Sequence, residues 1–189
     1  LNAPEVAYIL GNGDVCGIVV EDALATVADA ALAEAGIRPK VKGAIREGLD
    51  VTPAGWECMQ DWMQHKDAST PDVCMDDDEP VQMIYTSGTE SKPKGVLLSA
   101  RSLYTQYASV IIDGEMSCDD VEVHSLPLFH CAQLDCFLTP DLYLGATSIV
   151  LPGPDAGKLL ATIQSEKVTK LFCPPTIWIS LLRHPDFDK

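Results

Sequence analysis

The chain has few basic residues for its length. Thirteen Lys and Arg stand against 28 Asp and Glu in 189 residues, so the formal net charge is -15. A surface that binds DNA or RNA needs clustered Lys and Arg, and this composition therefore argues against a nucleic-acid-binding protein. No apolar run approaches the roughly 18 residues of a membrane span. An initiator Met and a charged-then-apolar leader are also absent, so no targeting segment is visible and we expect a cytoplasmic protein.

The cysteines lack the spacing of a disulfide framework. There are seven, an odd number, and they are scattered singly, which favours reduced cytosolic thiols. His130, Cys131 and Cys136 lie close enough in sequence to suggest zinc, but no C-x2-C pair accompanies them. We interpret the cysteines as small buried residues and predict no metal ligands among them.

Short apolar runs alternate with amphipathic segments along the chain. Strands are predicted at 16–20, 41–45, 81–85, 121–126, 147–151 and 170–173, and helices at 23–32, 103–111, 134–144, 158–166 and 176–183. Gly36 is expected to end the first helix, and Pro140 to disturb the third. Trp56, Met59, Trp62 and Met63 repeat at helical spacing, which indicates core packing. The alternation predicts an α/β fold with largely parallel, doubly wound sheet layers and helices on both faces.

A polar segment at 67–80 divides the chain. Its acidic run Asp76-Asp77-Asp78-Glu79 is interpreted as a solvated linker rather than as a metal-binding cluster. We therefore predict two parts: 1–79, an α/β subdomain with the acidic linker, and 80–189, a second α/β subdomain.

The stretch from Tyr85 to Gly95 reads Y-T-S-G-T-E-S-K-P-K-G and follows the strand predicted at 81–85. Ligands of doubly wound sheets bind at the carboxyl ends of strands. Hydroxyl groups, glycines and two lysines can form a nest for an anion, which predicts a phosphate-binding loop. The pattern is not that of a Walker-type NTPase. A plain surface turn rich in Ser, Gly and Lys is the alternative.

This stretch resembles the signature loop of the adenylate-forming superfamily, which includes acyl-CoA synthetases, adenylation domains and luciferases. The family loop usually reads Y-T-S-G-T-T-G-x-P-K-G-V, and this chain departs from it at Glu90 and Ser91. Four further stretches agree in order and spacing. They are 1–10 with 16–22, Asp119 to His130, Gly145 to Thr147, and 172–187. The resemblance covers essentially the whole chain.

The resemblance implies a two-step ligase that uses MgATP to adenylate a carboxylic acid, here expected to be a fatty acid, and passes the acyl group to coenzyme A. By position, the residues expected to hold the β- and γ-phosphates are Thr86, Ser87, Gly88, Thr89 and Lys94. Preorganised donors of this kind stabilise the charge that develops on pyrophosphate.

Two further positions follow from the same resemblance. His130 is expected to be a catalytic gate between the acyl pocket and the thiol channel, with a core histidine as the alternative. Glu90, beside the phosphates, either points outward or helps to hold Mg2+. Its charge and the loss of glycine at Ser91 would weaken the loop.

By the same analogy, the adenine-binding segment, the ribose-binding Asp, the catalytic Lys and the small C-terminal domain lie outside this chain, so we expect the chain alone to be inactive. Three other functions stay open. They are an adenylation domain that loads a carrier protein, a non-catalytic ATP-binding module, and an unrelated nucleotide-binding protein. We also expect a homodimer, with no nucleic acid as a partner.

Overall fold

A computed structural model describes residues 1–47, 49, 51–86 and 92–188. The chain divides into two compact units, Leu1–Met75 with Tyr85–Val96 and Asp76–Ile84 with Leu97–Lys189. Among the described residues, no helix combines the length and the apolar character that crossing a membrane requires.

Helices and strands alternate along most of the chain. The helices are α1 (Ala3–Asn12), α2 (Ala25–Ala35), α3 (Met59–Trp62), α4 (Ala100–Asp113), α5 (Cys131–Gln133), α6 (Thr139–Leu144), α7 (Ala156–Glu166) and α8 (Pro175–Leu182). The strands are β1 (Gly17–Glu21), β2 (Val41–Ile45), β3 (Glu57–Cys58), β4 (Pro80–Thr86), β5 (Lys94–Ser99), β6 (Val121–His124) and β7 (Thr147–Val150). A 3-10 turn precedes α2, and a π-helical turn, Leu134–Leu138, joins α5 to α6.

The first unit contains a parallel sheet in the order β1-β2-β3. Ala28 of α2 packs with Ala44 and Trp56 on one face of this sheet. Trp62 of α3 lies on the other face, against Gly43. Helices therefore contact both faces of this sheet, although the face of Gly43 is covered only in part, since Val19 and Val41 on it are exposed. The helix α2 ends as predicted, at Gly36, which adopts the left-handed conformation with φ 67°.

The helix α1 starts with a reciprocal cap. The Asn2 side chain accepts a hydrogen bond from Glu5 N at 3.0 Å, and the Glu5 carboxylate accepts one from Asn2 N at 2.8 Å. This capping box, with a proline in the first turn, fixes where the helix begins. Its other end, at Asn12, lies beside Tyr85.

The second unit is built around the parallel pair β6-β7. Successive side chains of β6 point to opposite faces of the strand and lie in two different environments. Val123 packs with Leu159 of α7 and Leu181 of α8 in an apolar cluster. Glu122 and His124 point to the opposite face and are buried there. The strands β4 and β5 form a separate two-stranded sheet.

Three details of the sequence prediction are wrong. The strand β5 comes between the loop and the long helix α4, where only the helix was predicted. The segment 134–144 is helical and disturbed, as predicted: a π-helical turn at Leu134–Leu138 runs directly into α6, and Pro140 lies in the first turn of α6. The other two errors lie elsewhere. The predicted strand 170–173 forms a single parallel bridge between Lys170 and Glu122. Met63 is 79% exposed, although Trp56 of the same pattern is buried.

Of the predictions for the acidic run and for the cysteines, the first is confirmed and the second is wrong in part. The acidic run is solvated as predicted, and Arg101 forms an exposed ion pair with Asp78 at 2.7 Å. The cysteines were expected to be buried, and this is wrong for Cys16, Cys74, Cys118 and Cys131, which are exposed.

Candidate active site

The predicted phosphate-binding loop lies between β4 and β5. Thr86 is the last residue of β4, and Lys94 is the first residue of β5. The predicted residues Ser87, Gly88, Thr89 and Glu90 lie outside the described residues, as does Ser91. The structure therefore places the two ends of the predicted site, at Thr86 and Lys94.

The residue before the loop is fixed to the end of α1. The Tyr85 hydroxyl lies 2.7 Å from Asn12 Oδ1 and 3.3 Å from the Ile9 carbonyl oxygen. Burial raises the pKa of Tyr85, and the neighbouring Tyr8 adds to the shift, so this hydroxyl stays protonated and donates. Because the shorter contact is to Asn12, we assign the donated proton to that oxygen.

The residues after the loop are fixed to the same helix. The Tyr8 hydroxyl donates to the Pro93 carbonyl oxygen at 3.1 Å. The Lys92 ammonium lies 5.2 Å from the centre of the Tyr8 ring, within reach of a cation–π contact. Both ends of the predicted loop are therefore attached to the C-terminal half of α1. Tyr8 and Asn12 were not predicted from the sequence, although their spacing of four residues puts them on one face of the helix.

His130 lies at the start of α5 and is exposed. Its Nδ1 accepts a hydrogen bond from Ala132 N at 3.1 Å, so it caps the helix. It also lines an open cavity of about 330 Å3. The other lining residues are mostly apolar: Leu126, Pro127, Phe129, Ala132, Gln133, Phe172 and Pro174. This surface suits an apolar ligand with few polar groups. The alternative interpretation as a core histidine is wrong, because the side chain is exposed.

A buried polar cluster lies behind this cavity and was missed by the sequence analysis. Gln133, which lines the cavity, contacts His124 Nδ1 through its Nε2 at 2.7 Å. His124 Nε2 lies 3.2 Å from Asp141 Oδ2, and both side chains are fully buried. The signal was present in the sequence, since the strand V-E-V-H carries ionisable residues at alternate positions.

Glu122 belongs to the same buried face of β6. Burial raises its pKa to about 7, and the negative charge of Asp141 adds to the shift, while Lys170 opposes it. Glu122 therefore changes its charge near neutral pH.

Another buried carboxylate fixes the π-helical turn. Gln82 Nε2 lies 3.0 Å from each carboxylate oxygen of Asp135. Gln106 Nε2 donates to the Asp135 carbonyl oxygen at 3.3 Å. The turn that follows the cavity wall is thus held by side chains of β4 and α4. Among the described ranges, no three His, Cys, Asp or Glu residues converge as metal ligands would.

The chain is similar to several known CoA ligases. 4-coumarate–CoA ligase 1 of Solanum tuberosum is 34% identical over 182 residues, which are 90% of this chain and 33% of that protein. Indoleacetate–CoA ligase of Aromatoleum aromaticum is 33% identical over 138 residues, 72% of this chain and 27% of that protein. The crystal structure of the anthranilate CoA ligase AuaEII with anthranoyl-AMP matches with a TM-score of 0.85 and 21% identity, over 99% of this chain and 36% of that one.

The chain spans about a third of the length of these relatives. The structural likeness confirms the fold, an α/β arrangement with largely parallel strands. The sequence model of the family described as AMP-binding enzyme matches residues 1–189. This chain therefore belongs to the family of AMP-binding enzymes.

Proposed function

We propose that the protein is an ATP-dependent acid–thiol ligase of the AMP-forming type, which activates a carboxylic acid and transfers it to coenzyme A. The observation that carries this proposal is the family match along the whole chain, with the phosphate-loop sequence placed between two strands. Relatives named as CoA ligases support coenzyme A as the acceptor. A carrier protein is the alternative acceptor.

In this proposal the loop holds the phosphates of ATP. Thr86 and Lys94, together with Ser87, Gly88 and Thr89, supply hydroxyl, main-chain and ammonium donors. The attachment of both loop ends to α1 fits such a role, because donors held in place before the reaction need no reorganisation when charge develops. ATP supplies the adenylyl group when it is bound. Mg2+ usually takes one or two carboxylates besides phosphate oxygens, and Glu90 is the carboxylate that we propose for it.

The acid is proposed to bind in the cavity beside His130. The cavity offers the aromatic rings of Phe129 and Phe172, with the largely buried Gln133 in its wall. The sequence led us to expect a fatty acid, but the relatives are named for 4-coumarate and indoleacetate. We therefore propose an aromatic carboxylic acid, with a fatty acid as the alternative. His130, which lines this cavity, is proposed as the gate to the thiol.

The test is ATP–pyrophosphate exchange with the full-length protein. The acids are 4-coumarate, indole-3-acetate, benzoate, octanoate and palmitate, assayed in parallel. We expect exchange with at least one aromatic acid and little with palmitate. Thiol transfer to coenzyme A, compared with a phosphopantetheinylated carrier, then identifies the acceptor.

Two controls accompany this assay. Lys94→Ala is expected to lower exchange about a hundredfold, as the loss of a donor to developing charge does. Lys40→Ala changes an exposed lysine and should leave exchange intact. We expect the isolated 189-residue chain to show no exchange. ATP binding without exchange for any acid would contradict the ligase and favour a non-catalytic ATP-binding module, for which Glu90 and Ser91 are the sequence evidence.

A further inference from the structure

Gln133 connects the wall of the cavity to the buried cluster behind it. Its side chain is 1% exposed. Its Oε1 lies 3.3 Å from the main-chain nitrogen of Leu126, which begins the cavity wall. Its Nε2 lies 2.7 Å from Nδ1 of His124. One amide therefore bridges the main chain of the wall and an imidazole of β6.

These two contacts determine the protonation of His124. A main-chain N–H can only donate, so the Gln133 atom that faces Leu126 must be the carbonyl oxygen. The NH2 group then faces His124 and must donate, which requires an unprotonated Nδ1. The imidazole is therefore neutral and carries its proton on Nε2, toward Asp141. An imidazolium would place two N–H groups against each other and would break the bridge.

Several charged groups surround this imidazole. Asp141 of α6 lies 3.2 Å from Nε2, but within the described residues neither atom has a well-directed hydrogen bond, so the contact is mainly electrostatic. Glu122, on the same strand, faces Asp141 and is influenced by Lys170 and Asp120. Asp135 of the π-helical turn is bound by Gln82. Carboxyl groups therefore lie around the imidazole, and Gln133 contributes the amide that contacts its Nδ1.

We propose that Gln133 is a positioning residue, which keeps His124 in its neutral Nε2–H form and thereby holds the segment Leu126–His130 in the conformation that accepts the carboxylic acid. This inference rests on the proposed function, since it concerns the acid cavity. Gln133 acts through His124 and the Leu126 main chain, and its role differs from that of the gate His130.

The first measurement is a long-range 1H–15N NMR spectrum of the full-length protein with 15N-labelled histidine. His124→Asn, by removing one signal, assigns the resonance. We expect the neutral Nε2–H tautomer in the wild type. In Gln133→Glu the carboxylate still accepts from Leu126 N but cannot donate to Nδ1, so we expect Nδ1 of His124 to become protonated.

The second measurement determines the KM for acid and the KM for ATP separately in the exchange assay, with 4-coumarate as the acid. Gln133→Met keeps the side-chain length and loses both contacts, so we expect the KM for acid to rise about tenfold while the KM for ATP stays within about twofold. His124→Leu has no acceptor and should resemble Gln133→Met.

The outcomes are distinct. The Nε2–H tautomer together with a selective rise in the KM for acid supports the inference. An imidazolium or an Nδ1–H tautomer in the wild type overturns it, even if every Gln133 variant fails to fold. Equal changes in both KM values, or no change, in an active enzyme overturn it and leave the ligase intact. A wild-type protein without exchange for any acid overturns both proposals, while the tautomer still reports whether the bridge exists.

Discussion

The hydroxyl of Tyr85 lies 2.7 Å from Oδ1 of Asn12, at the point where the predicted phosphate loop begins and the first helix ends. Tyr85→Phe removes this hydrogen bond and the neighbouring contact to Ile9. We expect the affinity for ATP to fall about three- to tenfold, because a typical hydrogen bond contributes about 0.5–1.5 kcal/mol. Isothermal titration with ATP measures the effect.

The matched control for this prediction is Tyr143→Phe. It makes the same chemical change in α6, in the second unit. Equal ATP affinity in wild type and Tyr85→Phe would show that the hydrogen bond between Tyr85 and Asn12 does not contribute to nucleotide binding.

His130 has two separable roles, capping α5 and lining the cavity. His130→Ala removes both, whereas His130→Ser keeps an oxygen that can cap the helix. We expect the alanine variant to be about 1 kcal/mol less stable than the serine variant. We expect both to slow acyl transfer to coenzyme A about tenfold or more, since both lose the imidazole. Denaturant titration and a thiol-transfer assay measure the two effects. If the serine variant transfers at the wild-type rate, His130 is only a cap.

Glu122 makes stability depend on pH in the neutral range. Its folded-state pKa, raised by burial to about 7, lies above its ordinary value of 4.5, so the native state binds more protons than the unfolded state between these values. Its contribution to stability is complete below about pH 4.5 and is lost as the pH rises to 7. Wild type should therefore be more stable at pH 5 than at pH 8.

Glu122→Gln should flatten this dependence. The variant stays neutral, so we expect a gain of about 1–3 kcal/mol at pH 8. Urea unfolding at several pH values between 5 and 8 measures it. Glu34→Gln, at an exposed glutamate, is the control and should keep the wild-type slope. A slope unchanged in Glu122→Gln would assign the dependence to other groups.

The Trp62 ring lies so close to the main chain of β2 that position 43 requires a glycine. A methyl group at Gly43 would lie 2.5 Å from the Trp62 ring, and that ring is held by a 2.9 Å hydrogen bond from its Nε1 to Glu57. We expect Gly43→Ala to lower the free energy of unfolding by about 1–3 kcal/mol, as overpacking does. Gly17→Ala is the control in the neighbouring strand, because its methyl group would meet Val41 at an ordinary 3.7 Å. Trp62→Leu should restore the stability of Gly43→Ala, and failure to do so would show that the ring is not the obstacle.

Most helices and strands could be predicted from the sequence, because each has its own apolar periodicity. The strands β1, β2, β4, β6 and β7 and the helices α2, α4, α7 and α8 come close to their predicted positions, because apolar periodicity depends on neighbours along the chain. The signature loop, with its resemblance to a known family, predicted the family that the comparison confirms. The strand β5 was missed because its sequence, K-G-V-L-L-S, does not alternate between apolar and polar residues, and Val96 and Leu97 are exposed.

The features that the sequence did not predict depend on contacts between distant residues. The Tyr8–Pro93 hydrogen bond joins positions that are 85 residues apart. The bond between Gln82 and Asp135 joins positions 53 apart. Spacing along the chain can show that two residues share a face, as Tyr8 and Asn12 do, but it does not show which distant residue they contact. Asn12, Gln133 and Asp141 were therefore not recognised as candidates.

The two-sided character of β6 has a consequence for assembly of the second unit. A slip of one residue against β7 would exchange the two faces of the strand. Glu122 and His124 would then press against Leu159 and Leu181, and Val123 would face Asp141. His124 would lose its 2.7 Å contact with Gln133, and burying its imidazole in an apolar environment would cost several kcal/mol. The polar residues of β6 therefore favour one register of the sheet over the register shifted by one residue.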